Sequence, residues 1–179
     1  MRVIKMQAQQ TSLVSIENAI SRFVKAIALT GVAISPNSIE VRDWGCPHEP
    51  TKLPDGKMAV YIFRLGDDVL KIGKVGPNSN ARFYTQHYFP KSSQSNLAKS
   101  LLADKAGPCF EISEGEIGTW MKQRLHRTDL LIDKNLPIGI LNFLESFLQC
   151  LYQPKYEGFK SQRKFTRQYP HSTVPVLPH

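Results

Sequence analysis

The chain has 179 residues, 41% hydrophobic and 21% charged, with a net charge of +8 and a pI near 9.5. This is an ordinary globular balance in a chain long enough for a sizeable core, and the excess of Lys and Arg fits either plain solubility or a polyanionic partner, since clustered cations gain affinity from counterion release. Three widely spaced cysteines, Cys46, Cys109 and Cys150, argue against a disulfide framework, and no apolar run approaches the roughly 20 residues of a membrane span. With Arg2 and Lys5 leading into a Gln-rich segment in place of a signal peptide, a cytoplasmic protein with no membrane partner is expected.

In chain order, Ser12–Leu29 reads as an amphipathic helix. Leu13, Ile16, Ile20, Phe23, Val24 and Ile27 repeat at three and four, with Ser12 as N-cap and Gly31 as stop. Pro36–Gly56 carries Pro36, Pro47, Pro50 and Pro54 and reads as an ordered surface connection. Cys46-Pro47-His48 offers two zinc ligands, but no second pair stands at ligand spacing. The stretch Met58–Gly76 holds two β-rich runs, Ala59–Arg64 and Val69–Gly73, around Leu65-Gly66-Asp67-Asp68, which is a hairpin signal.

After a loop at Gly76-Pro77-Asn78-Ser79, Ser79 or Asn80 caps a helix that starts near Ala81 and stops at Pro90. Ser93–Lys105 reads as a further helix, Trp120–Gln123 as a short helical segment, and His126–Asp133 as a strand with Leu130, Leu131 and Ile132 buried. Pro137 opens a last helix through Tyr152, with Leu141, Leu144, Leu148 and Leu151 as its core stripe and Glu145 beside that stripe. The tail carries Lys155, Lys160, Arg163, Lys164 and Arg167 among Phe159, Phe165 and Tyr169, a mixture that suits phosphates and exposed bases.

The hairpin and its surroundings resemble the GIY-YIG nuclease family. Ala59-Val60-Tyr61 stands in the place of the family's first triplet, and Lys71-Ile72-Gly73-Lys74 in the place of the second. Arg82 matches the helix arginine, Leu144-Glu145 the metal-binding glutamate, and Pro154-Lys155-Tyr156-Glu157 resembles a PxYN ending. Three positions depart: Ala59 replaces glycine, Lys71 the second tyrosine, and Glu157 the asparagine.

The resemblance implies an α+β domain over 58–158, with a small, mainly antiparallel three-stranded sheet flanked by helices. An N-terminal helix and connecting segment (1–57) precede it and a basic tail (159–179) follows. It further implies a magnesium-dependent endonuclease of restriction type, with manganese as the alternative ion. The substrate would be DNA, RNA remaining open, and a homodimer or two successive visits would be needed for a double-strand cut.

Phosphodiester hydrolysis needs an activated water and neutralised phosphate charge. In this reading Tyr61 holds or deprotonates the water, and Lys71 lowers the tyrosine's pKa or is itself the base. Arg82 grips the non-bridging oxygens, and Glu145 holds the metal ion. His87, about 140° from Arg82 around an ideal helix, reaches the same cleft only if the helix end distorts; Tyr88 is the alternative. Lys74, Tyr88, Lys155, Lys160, Arg163, Lys164 and Arg167 form the nucleic-acid surface. Two other readings share these residues: a binding protein on the same fold that no longer cuts, and an assembly subunit of a larger complex.

Overall fold

β2 (Lys57–Leu65) is apolar at nearly every position and is buried along most of its length. A strand of that kind belongs in the middle of a sheet covered on both sides. The computed structural model, which describes residues 14–77, 79, 83–92, 96–109 and 111–156, places it there. β2 pairs antiparallel with β3 (Asp68–Val75) and with β4 (His126–Asp133), and β1 (Ile39–Gly45) pairs antiparallel with β4. The order is β1-β4-β2-β3, so β1 and β3 are the edges.

The α+β class expected from the sequence therefore holds, with four strands in place of three. The added strand, β1, lies inside the segment read as a surface connection. Ile39-Glu40-Val41-Arg42 does alternate apolar and polar residues, but the run is short, only Ile39 of the seven is buried, and the surrounding prolines dominate the reading. Its pairing with β4 makes Ile39–Gly45 part of the same sheet as the hairpin.

One face of the sheet is covered by α1 (Ile16–Ala28) and α4 (Ile138–Tyr152). Phe23, Ile27, Leu141, Leu144 and Leu148 pack there against Met58, Val60, Ile62 and Ile72. The N-cap of α1 is Ser15, three residues later than the expected Ser12, which lies outside the described residues. The other face is covered by α2 (Leu97–Ala103, capped by Asn96), α3 (Ile117–Arg124) and a 3-10 turn at Gln86–Tyr88. Leu97, Leu101, Ile117 and Met121 pack there against Ala59, Tyr61 and Phe63. Alternation along β2 thus sends even-numbered residues to α4 and odd-numbered ones to α2 and α3.

Candidate active site

Antiparallel register aligns side chains of one face in rows across the strands. On the α2/α3 face, one row runs Asp129–Tyr61–Gly73 and the next Arg127–Phe63–Lys71. A Cβ added to Gly73 would lie 2.5 Å from Tyr61 Cζ. The tyrosine ring therefore lies over the glycine, in space that any side chain at position 73 would fill. This is a physical reason for the glycine that ends the second triplet.

Tyr61 Oη shares a hydrogen bond with His87 Nε2 at 2.5 Å, and the ring centroids are 4.6 Å apart. Phe83 and Tyr84 are helical, but the chain then tightens to a 3-10 turn over Gln86–Tyr88. The backbone breaks from the helix at Thr85 (φ −124°), so His87 does not continue the winding of Phe83 and Tyr84. Lys71 lies on the same face, one row away, and its Nζ donates to the Tyr156 carbonyl at 3.4 Å. Tyr61, His87 and Lys71 are 0%, 2% and 4% exposed.

Glu145 and Lys74 belong to the other face. Lys74 pairs in register with Val60, whose side chain packs among the α4 leucines, and its Nζ donates to Glu145 Oε2 on α4. The pair is half-buried, with the Glu145 side chain 13% exposed. The expected catalytic set is thus split by the sheet, Tyr61, Lys71 and His87 on one face and Glu145 with Lys74 on the other. Both sets touch edge strand β3, which carries Lys71, Gly73 and Lys74 within four residues.

As a metal ligand Glu145 contributes one hard carboxylate, which already attracts a cation in the form of Lys74. Among the described residues no group of three or more His, Cys, Asp and Glu converges. A single carboxylate suits magnesium or manganese, whose remaining positions are filled by water and phosphate oxygen, and does not make a zinc site. His48, half of the Cys46-Pro47-His48 motif, spends both ring nitrogens on hydrogen bonds, to the Leu125 carbonyl (2.7 Å) and to Tyr88 Oη (2.8 Å).

The nucleic-acid residues divide as well. Tyr88 is buried, its hydroxyl bonded to His48 and Arg127, and burial pushes its pKa up to about 12; it is therefore withdrawn from any surface contact. Lys155 is exposed and pairs with Asp104 Oδ2 at 3.0 Å. Its backbone N–H and that of Tyr156 donate to the carbonyls of Val69 and Leu70, laying the chain along one end of β3. Arg82, Lys160, Arg163, Lys164, Arg167 and Glu157 lie outside the described residues.

Sequence reasoning missed a buried cluster that joins the Tyr61 row to the next. Arg127 and Asp129 form an ion pair at 2.9 Å, and Asp129 Oδ2 accepts from Trp44 Nε1 at 2.6 Å. Trp44 stands at the register shift between Asp43 and Gly45, where a bulge re-aims a side chain. Burial raises the Asp129 carboxyl against the opposing pull of Arg127. The signal was present in Arg127-Thr128-Asp129: opposite charges two apart in a strand read as buried must share a face and pair.

Comparison with protein-family models, with curated proteins and with solved structures gives no match to this chain. Among the described residues no helix is long and apolar enough to cross a membrane.

Proposed function

We propose that the protein is a metal-dependent endonuclease that hydrolyses phosphodiester bonds in DNA. The observation that carries this reading is the buried phenol–imidazole pair, Tyr61 and His87, made across Gly73 and beside Lys71. A tyrosine that shares its proton with a histidine is a two-group relay for general base catalysis. Tyr61 Oη takes the proton of the attacking water and passes its own to His87 Nε2. Lys71, a cation one row away, favours the phenolate form of a neighbouring tyrosine.

Glu145 is the ligand for magnesium or manganese on the opposite side of β3. The ion, when bound, supplies a Lewis acid that neutralises charge developing on the phosphate. Lys74, the partner of Glu145 in this structure, would be a cation for the same phosphate. The scissile group would then lie against the Lys71–Lys74 stretch of the β3 edge, the strand that both halves of the set touch. Arg82, by its match to the family motif, is assigned the grip on the non-bridging oxygens.

A second reading is favoured by one observation, the burial of Tyr61, Lys71 and His87. In that reading the fold binds nucleic acid through its net positive charge and does not cut. Incubation of supercoiled plasmid with magnesium, with manganese and with chelator, beside the Glu145→Ala protein, separates the two. Metal-dependent nicking that the variant lacks supports hydrolysis. Intact plasmid in every lane, with a mobility shift that fades as salt rises, overturns hydrolysis in favour of binding.

A further inference from the structure

Arg127 is 1% exposed and its guanidinium makes three hydrogen bonds, one along its own strand and two to the Phe83–Tyr88 segment. Nε donates to Asp129 Oδ1, Nη1 to Tyr88 Oη at 3.1 Å, and Nη2 to the Phe83 carbonyl at 3.0 Å. Its carbon centre also lies 4.5 Å from the centroid of the Phe83 ring. Asp129, fixed by Trp44 from the far side, holds the fork in one orientation.

The directions of the bonds beyond Tyr88 follow from the groups involved. The Leu125 carbonyl can only accept, so His48 Nδ1 carries a hydrogen. Burial, with Arg127 nearby, pushes the His48 pKa down to about 4, so the ring is neutral and its Nε2 accepts. Tyr88 must then donate its single hydrogen to His48 Nε2 and accept from Arg127 Nη1. On its other side α3 presses against the same residue, since a Cβ on Gly118 would lie 2.9 Å from the Tyr88 carbonyl oxygen.

Phe83 and Tyr88 stand at the two ends of the short segment that carries His87. A single 3-10 turn has poor hydrogen-bond geometry of its own; Ser92 Oγ donates to the Gln86 carbonyl within it, and Arg127 holds both ends of the segment. We propose that Arg127 is the positioning residue of His87: by gripping the Phe83 carbonyl and the Tyr88 hydroxyl, it fixes the turn that brings His87 Nε2 to Tyr61 Oη. A planar fork can do this, and a lysine ammonium, a point charge on a flexible stem, cannot grip both ends at fixed spacing. The consequence for catalysis rests on the hydrolytic reading; the positioning itself does not.

The test reads the pair directly. Proton NMR of the full chain follows the slowly exchanging Tyr61–His87 proton, assigned by its absence in Tyr61→Phe. Tyr88→Phe, which removes one oxygen, and Arg127→Lys, which keeps the charge, are both expected to lose that resonance to exchange while far-UV circular dichroism stays that of the wild type. DNA cleavage by these variants is expected to fall on the order of a hundredfold in kcat with KM unchanged, the signature of a displaced catalytic group.

A folded Tyr88→Phe protein that keeps the resonance at its wild-type position overturns the proposal. If Arg127→Lys fails to fold, Tyr88→Phe decides the question. If the wild type does not cut DNA and the resonance is still lost in the variants, the positioning role stands and the hydrolytic reading falls.

Discussion

The two faces of the sheet treat polar groups in opposite ways. On the α2/α3 face, Tyr61, His87, Arg127, Asp129, Tyr88 and His48 are all buried, and their hydrogen bonds run to one another, to backbone carbonyls and to Trp44 Nε1. On the α1/α4 face the core is largely apolar; the polar groups there include buried Thr128, which donates to Asp43 Oδ1 at 3.2 Å, and the half-buried Lys74–Glu145 pair at the β3 edge. Removing water from a polar group costs free energy unless a partner replaces it. The first face thus holds its side chains in fixed geometry, whereas the second leaves one carboxylate and one ammonium able to exchange partners. Fixed geometry suits proton transfer, and an exchangeable carboxylate suits an ion that comes and goes.

The contrast predicts a descending series of effects. Asp129→Ala strands Arg127 as an uncompensated buried charge and is expected to cost about 3–5 kcal/mol in urea unfolding.

The next effect is of pH. His48 titrates at about 4 in the folded protein, below its ordinary 6.5, because burial penalises its charged form. Below pH 6.5 the unfolded chain binds this proton and the folded one does not. Its share of stability is therefore complete above that pH and is lost as pH falls toward 4, by up to about 3 kcal/mol. Denaturant melts across that window should show the loss, and the difference should vanish in His48→Gln.

Gly73→Ala drives a methyl group into the Tyr61 ring and should cost about 1–3 kcal/mol in thermal unfolding, with loss of the Tyr61–His87 bond. Lys74→Ala, on the permissive face, should change unfolding free energy by about 1 kcal/mol or less, as for other partly solvated pairs. A Lys74→Ala cost as large as that of Asp129→Ala would erase the distinction between the faces.

How much of this was legible varies by element, for physical reasons. The hairpin, β4 and α4 announce themselves because their apolar residues are both numerous and periodic. β1 does not, since its stability comes from backbone pairing to β4 and it buries only Ile39. Tyr61 and Glu145 were picked out by motif spacing, but spacing along the chain does not say which face a side chain takes. That required the register, which sets Gly73 opposite Tyr61 and Lys74 opposite Val60. An ideal helix does not predict the place of His87, because the chain breaks at Thr85 and rewinds as a 3-10 turn. Tyr88 reads as a surface aromatic until His48 and Arg127, distant in sequence, are brought to its hydroxyl.

The central claim is that the Tyr61–His87 pair moves the proton of the attacking water. It is tested most directly by the single-turnover cleavage rate of Tyr61→Phe on plasmid DNA with magnesium, at saturating enzyme, beside the wild type. The account predicts a loss on the order of a hundredfold or more, with DNA affinity close to that of the wild type and the variant still folded at the assay temperature. A Tyr61→Phe protein that cuts at the wild-type rate would contradict it.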